Sequence, residues 1–215
     1  MALLAPGVAA ADEDLGARGH GRLELVGDPL DESTDVGPMV SAGQRSKVEA
    51  QVEGAVAAGA ELVVGGDRAG QERGHYFAPA VVTGASAETD LLSEETFGPV
   101  APIVPVESLD EAIALANSTR FGLGANVYTR DLETAVRCMR EIKAGTVWIN
   151  DPLTDNDAGP FGGMKQSGLG RELGQEGLEA FQDTKHVHIE TKIAPKEWWY
   201  PYAPGQSGPP SGAGA

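Results

Sequence analysis

The sequence predicts an α/β fold with a mainly parallel sheet flanked by helices. Three observations carry that expectation. From Val100 onward, short apolar runs alternate with amphipathic stretches in the order β-α-β-α-β. The connections between them are short, which implies right-handed crossovers. Each helical stretch opens on a side chain that caps helices, Ser108 for the first and Asp131 for the second.

Composition narrows the class further. At 215 residues the chain can bury a core and form one or two domains. A formal net charge of −16 argues against a nucleic-acid partner and against an anionic membrane surface. The one cysteine, Cys138, allows no intrachain disulfide and no cysteine-based zinc site, which suits a reducing cytoplasm. Residues 1–10 are apolar and end in small residues, like a signal peptide. No basic residue precedes Arg18, however, and Pro6-Gly7 breaks the run, so that reading is set aside. No stretch approaches the ~20 apolar residues that span a bilayer.

The elements are justified in order. Residues 1–22 are rich in Ala and Gly with an acidic clump at Asp12-Glu13-Asp14, and are expected to be poorly ordered. Residues 23–26 read as a short strand, followed by turns at Gly27-Asp28-Pro29-Leu30-Asp31 and Asp35-Val36-Gly37-Pro38. Ser41 with Gln44 fits a capping box, in which each residue satisfies the other's backbone amide. The helix it opens should bury Val48, Val52, Ala55 and Val56 and stop at Gly59. Residues 61–64 form a strand closed by Gly65-Gly66. Residues 67–74 are a polar loop, and 76–83 an apolar strand interrupted at Pro79.

The regular part begins at residues 100–106, a strand. Ser108 with Glu111 forms a second capping box, and its helix turns Leu109, Ala112, Ile113 and Ala116 inward. A strand at 124–128 leads to a helix capped by Asp131, with Leu132, Ala135, Val136, Met139 and Ile142 inward. Residues 145–150 are the next strand. The Gly- and Asp-rich stretch 151–170 is a long loop, and 173–181 a short helix. His186 to Glu190 alternates like an edge strand. The end of the chain is aromatic, then Pro/Gly/Ser-rich, and reads as a flexible tail over 194–215. Trp198-Trp199-Tyr200-Pro201-Tyr202 suits either packing on a neighbour or covering a pocket.

Several residues invite a chemical reading. Gly162 to Gly170 fails the phosphate-loop pattern, because Gly168 is followed by Leu169 rather than Lys; tight backbone turns explain it. His186 and His188 share one face but have no third ligand nearby in sequence, so no metal site is expected. Cys138 lies beside the apolar stripe of its helix and reads as a packing cysteine. Glu172 reads as structural, a carboxylate at a helix N-terminus. Glu95 and Phe97 are the strongest candidates. They stand in Leu92-Ser93-Glu94-Glu95-Thr96-Phe97-Gly98-Pro99-Val100, where a Gly-Pro turn leads into a core strand. On these residues alone, a solvated acidic loop with one buried Phe is the alternative.

Six motifs occur in order: Gly27-Asp28-Pro29-Leu30-Asp31, Asp35-Val36-Gly37-Pro38, Glu94-Glu95-Thr96-Phe97-Gly98-Pro99, Asn117-Ser118-Thr119-Arg120-Phe121-Gly122-Leu123, Gly145-Thr146-Val147-Trp148-Ile149-Asn150, and Pro160-Phe161-Gly162-Gly163-Met164-Lys165-Gln166-Ser167-Gly168. With them, residues 23–191 resemble the C-terminal part of the NAD(P)-dependent aldehyde dehydrogenase superfamily. The resemblance implies a partial catalytic domain over 23–183, an oligomerisation strand over 184–193, and NAD or NADP as cofactor. It further implies an aldehyde substrate, held by a loop at 151–159, and a homo-oligomer or an association with a related subunit. It assigns Glu95 to the nicotinamide ribose, whose two hydroxyls a carboxylate can accept, and Phe97 to packing by the nicotinamide.

What is missing bears equally on function. The resemblance implies a cysteine nucleophile in a Gly-Gln-x-Cys segment ahead of the Gly-Asp-Pro turn, and a glutamate that activates water to hydrolyse the thioester. Neither motif is present, nor is a dinucleotide-binding domain, and Cys138 falls on a different helix. No residue of this chain is therefore assigned as catalytic. The expectation is a truncated C-terminal part without turnover of its own. Half of a split enzyme, or a non-catalytic module that joins full-length relatives, are the alternatives.

Overall fold

The computed structural model describes residues 2–5, 8–10, 25–71, 73–151, 154–192, 194, 196 and 199. The chain divides into two units, residues 1–181 and 182–215. In the first, the elements follow as β1 (Ala2–Ala5), β2 (Val8–Ala10), α1 (Ala42–Ala57), β3 (Glu61–Val64), β4 (Ala80–Thr83), α2 (Asp90–Ser93), β5 (Val100–Ile103), α3 (Leu109–Asn117), β6 (Phe121–Gly122), β7 (Gly124–Tyr128), α4 (Leu132–Glu141), β8 (Thr146–Ile149), β9 (Met164–Lys165) and α5 (Gly174–Glu179).

Seven strands form one sheet in the order β3-β4-β5-β2-β1-β7-β8, and β6 pairs with β9 beside it. The β7–β8 pair is parallel, as the β-α-β pattern from Val100 onward predicts; β4–β5 is parallel too, and β5 and β7, consecutive in that pattern, are not neighbours. β3 joins β4 antiparallel at the edge. The centre was not foreseen. Residues 2–5 and 8–10, read from sequence as irregular, form an antiparallel hairpin between β5 and β7. Strands β5 and β7 need backbone partners on their inner edges, and the hairpin supplies them at Ile103 and at 126–128.

The helix caps form largely as the sequence pattern requires. The Ser41, Ser108 and Asp131 side chains accept from the amides of Gln44 (3.1 Å), Glu111 (3.1 Å) and Thr134 (2.7 Å). These bonds to Thr134 hold the Asp131 carboxyl below the usual range. The return half of each box differs. Glu111 accepts from the amide of Glu107, one residue beyond the cap, and Gln44 reaches away from α1 altogether. Strand 100–106 is shorter than expected, ending at Ile103, and the strand of 76–83 begins only after Pro79, which has no amide to donate. Residues 23–26 reduce to one bridge, Val26 with Val36; residues 23 and 24 lie outside the described residues.

Two apolar clusters make the core. Val48, Val52 and Ala55 of α1 pack with Ala80 and Val82 of β4, Phe77, Leu91 and Leu92. Ala112 and Ile113 of α3 pack with Ala125 and Val127 of β7, Cys138, Ile142 and Ala144. Helix α4 is rotated relative to expectation. Cys138 is fully buried, whereas Leu132 and Met139 are 77% and 55% exposed. On the solvent side Arg137 pairs with Glu141 on its own helix and with Asp110 of α3. Val56, expected inward, is half exposed at the end of α1.

Loop 151–170 contains more structure than its composition suggests. Its residues 164–165 pair with β6, and Phe161 and Glu172 exchange backbone hydrogen bonds of 2.8 Å. Glu172 is thus held by its backbone rather than by a helix dipole. Gly168 and Gly170 take φ of +120° and +85°, the tight turns expected there. In the second unit, residues 183–190 carry no helix or strand, and Glu190 pairs with Lys196 at 2.8 Å. Most of 194–215 lies outside the described residues, as do 1 and 11–22.

Backbone crowding generates one stability test. A Cβ at Gly145 would stand 1.6 Å from the carbonyl oxygen of Gly162, whereas a Cβ at Gly54 of α1 meets nothing within 4 Å. Gly145→Ala should lose about 2 kcal/mol or more. Gly54→Ala should gain roughly 0.5–1 kcal/mol from helix propensity. Urea unfolding midpoints of both variants check the pair.

Candidate functional site

The loop between α2 and β5 is built from outside itself. Phe97 takes φ of +49°, a left-handed conformation rare for a bulky side chain. Such a conformation costs of order 1–3 kcal/mol and persists only where neighbours enforce it. Helix α1 enforces it here. The Gln44 side-chain amide donates to the carbonyls of Thr96 (2.9 Å) and Phe97 (3.0 Å), and Lys47 Nζ donates to the carbonyl of Glu95. The next residue must be small, because a Cβ on Gly98 would lie 2.6 Å from Val48 Cγ2. Gln44, Lys47 and Val48 were not identified as site residues from the sequence. Gln44 had a local explanation as a capping residue, and no spacing rule links positions that lie about 50 residues apart.

The two adjacent carboxylates then take different roles. Glu94 pairs with Arg120, whose guanidinium lies 4.9 Å over the Phe121 ring. Among the described residues, the Glu95 carboxylate makes no hydrogen bond or ion pair and is exposed. Phe97 is 75% exposed. The bland alternative of a buried Phe therefore fails, and Glu95 and Phe97 both stand open.

Other motif residues are consumed by backbone groups. The Asn117 side chain accepts from Lys143 N (2.7 Å) and donates to Glu141 O (2.9 Å), tying α3 to the end of α4. Asn150 does the same with both backbone groups of Thr129. Trp148 Nε1 donates to Thr154 O at 2.7 Å. Lys165 Nζ donates to the carbonyls of Asn117 (3.0 Å) and Thr119 (2.9 Å), and burial holds its pKa below the ordinary lysine value. Ser167 Oγ accepts from Gly122 N at 2.9 Å.

Glu95 and Phe97 line the wall of a cavity of about 490 Å³. Its other walls come from Thr119, residues 121–125, residues 142–144, Gln166 and Ser167. That volume lies within the ~300–1,000 Å³ usual for small-molecule sites. The wall offers an unused carboxylate acceptor beside an exposed aromatic face, a pair suited to a diol carried next to a flat ring. Among the described residues its wall carries no thiol. Cys138 is fully buried, and burial pushes its thiol pKa up. Among the described residues no group of three or more His, Cys, Asp and Glu side chains could hold a metal ion, and no helix is long and apolar enough to cross a membrane.

Comparison with known proteins agrees with this geometry. The model of the aldehyde dehydrogenase family matches residues 22–187. The NADP(+) succinate-semialdehyde dehydrogenase 1 of Mycobacterium tuberculosis is 44% identical over 164 residues, 76% of this chain and 36% of that protein. The betaine aldehyde dehydrogenase of Bacillus subtilis is 38% identical over 177 residues, 81% of this chain and 36% of that protein. Among solved structures, a betaine aldehyde dehydrogenase from Staphylococcus aureus in complex with NAD+ superposes with a TM-score of 0.79 at 34% identity, over 90% of this chain and 40% of that one. This chain spans about a third of the length of the curated relatives it matches. With ordered motifs, sheet and family model in agreement over most of its length, the chain belongs to the aldehyde dehydrogenase family and corresponds to its C-terminal part.

Proposed function

We propose that this chain supplies the nicotinamide-side wall of an NAD(P)-dependent site that oxidises an aldehyde to a carboxylic acid, and that it does not turn over alone. The observation that carries the reading is the pairing of a free Glu95 carboxylate with an exposed Phe97 ring on one cavity wall. The dinucleotide, when bound, would supply the hydride acceptor. The two Glu95 oxygens would accept from the ribose hydroxyls, and the Phe97 ring would offer an apolar face to the nicotinamide. The bonds from Gln44 and Lys47 hold both residues in place before a ligand arrives, which lowers the entropy lost on binding.

The second half of the reading follows from the thiol inventory. Covalent attack on an aldehyde needs an accessible thiolate. The sole cysteine is Cys138, sealed in the core with a raised pKa. The nucleophile must then come from outside this chain. Loss of a nucleophile in another covalent enzyme costs about six orders of magnitude in turnover. Association with a related subunit through residues 184–191 is supported by the exposed apolar side chains of Val187 and Ile189, 66% and 77% accessible, which alternate with His186 and His188.

Two measurements test these halves separately. The purified chain, mixed with NAD+ or NADP+ and succinate semialdehyde or betaine aldehyde, should produce no reduced cofactor, and a thiol reagent should label Cys138 only on unfolding. Steady cofactor reduction by the chain alone would sink the reading of inactivity. For the cavity wall, saturation-transfer NMR with NAD+ should show nicotinamide protons in contact with the Phe97 ring. Glu95→Gln should weaken that signal and Phe97→Ala remove it. Gln44→Leu should weaken it too, and should cost about 1–3 kcal/mol of stability by leaving two carbonyls without their donor. A nicotinamide signal indifferent to all three changes would overturn the assignment.

A further inference from the structure

Two carboxylates adjacent in sequence stand on the cavity wall, and one cation treats them differently. Glu94 and Glu95 both line the cavity. Glu94 is tied to the end of α2, where its amide donates to Asp90 O at 3.0 Å, and its carboxylate pairs with Arg120. Among the described residues, that pair is the one side-chain hydrogen bond or ion pair that joins residues 25–103 to residues 104–181. The Glu95 carboxylate is left exposed and unpaired.

Arg120 is held on its own side independently of Glu94. Its carbonyl accepts from Gln166 N at 3.0 Å, and its guanidinium lies 4.9 Å over the Phe121 ring. Phe121 belongs to β6, which β9 holds in register. Phe121 and Gln166 are themselves on the cavity wall. A planar guanidinium suits such a stack, and it reaches the Glu94 carboxylate from the wall opposite. The pair is partly exposed, 51% for Arg120 and 39% for Glu94, so solvent weakens its field without cancelling it.

Charge at this wall has a chemical consequence. An oxidised nicotinamide ring carries a positive charge, and a reduced ring carries none. A free carboxylate near the ring therefore favours the oxidised form, and a carboxylate neutralised by a cation does not. Two further cations stand near the wall. Lys47 donates to Glu95 O, and Lys143 lines the far side of the cavity. Neither pairs with Glu94.

We propose that Arg120 is a positioning residue for the nicotinamide wall. By withdrawing Glu94 into an ion pair it leaves Glu95 as the one free carboxylate of the two, and so sets how strongly the site prefers oxidised over reduced cofactor. The proposal rests on the reading of Glu95 and Phe97 as that wall.

The test measures dissociation constants of NAD+ by saturation-transfer titration and of NADH by nicotinamide fluorescence, for the full chain and its variants at low salt. Arg120→Gln frees the Glu94 charge and should shift the affinity ratio toward NAD+ by roughly threefold to tenfold, the reach of a half-exposed charge over about 6–10 Å. Glu94→Gln leaves Arg120 uncompensated and should shift the ratio toward NADH by a similar factor. The double variant should return the ratio to that of the unaltered chain, and Arg120→Lys should stay close to it. If Arg120→Gln does not fold, Glu94→Gln alone decides by the sign of its shift. A parallel loss of both affinities with an unchanged ratio, or a double variant that keeps the ratio of Arg120→Gln, would reduce the pair to a structural strap and overturn the proposal. Binding of neither cofactor form by the unaltered chain removes the Glu95 and Phe97 reading and this one with it. Binding that is sensitive to Glu95→Gln but indifferent to Arg120 and Glu94 removes this one only.

Discussion

Two facing strand edges govern this molecule. β5 and β7 are each anchored on the outside, by β4 and β8, and each must find hydrogen-bond partners on the inside. Residues 2–5 and 8–10 stand in the centre of the sheet, although they lie outside the matched family segment. The cavity of about 490 Å³ is lined by residues of both core clusters, Leu92 from one and Ala125, Ile142 and Ala144 from the other. A close-packed interior tolerates no such space of its own accord.

The site sits where that cavity meets a strained loop. Phe97 holds a left-handed conformation, and the two amide bonds from Gln44 with the one from Lys47 fix the carbonyls on either side of it. The loop's bed is α1, and α1 is anchored in the first core cluster through Val48, Val52 and Ala55. The geometry of Glu95 and Phe97 thus depends on a helix that precedes them by about 50 residues. Satisfaction of polar groups also separates roles within the family motifs. Asn117, Asn150, Lys165 and Ser167 spend their side chains on backbone amides and carbonyls, and Glu94 on Arg120. Glu95 alone of the adjacent pair keeps its carboxylate open.

Much of the regular part was legible from sequence because its signals are local. The caps at Ser41, Ser108 and Asp131 and the strand at 124–128 follow from side chains within a few residues of the elements they set, and the parallel pairing of β7–β8 from the β-α-β pattern around it. What failed was long-range. The face that α4 buries is set by packing against α3 and β7 through Cys138, so Leu132 and Met139 face solvent despite their apolar pattern. Strand β9 was hidden in a Gly-rich loop because a two-residue strand exists only through its partner, β6. Segment 184–191, which alternates like an edge strand, has no ladder for the same reason: a strand is a property of two chains of backbone, and a single run of residues specifies only half of it.

The sequence by itself determined the fold class, the family, the candidate pair Glu95 and Phe97, and the isolation of Cys138 as the sole thiol. Each is written in composition, local period or motif order. Only the tertiary structure decided that Glu95 is free while Glu94 is paired, that Gln44 and Lys47 hold the loop, and that Phe97 is exposed and strained. The physical reason is that side-chain satisfaction depends on which distant backbone groups folding brings within about 3 Å, the reach of a hydrogen bond. The place of the β1–β2 hairpin between β5 and β7 belongs to the same class. No property of either strand's residues announces it, because an unpaired edge becomes visible only when both edges stand in one sheet.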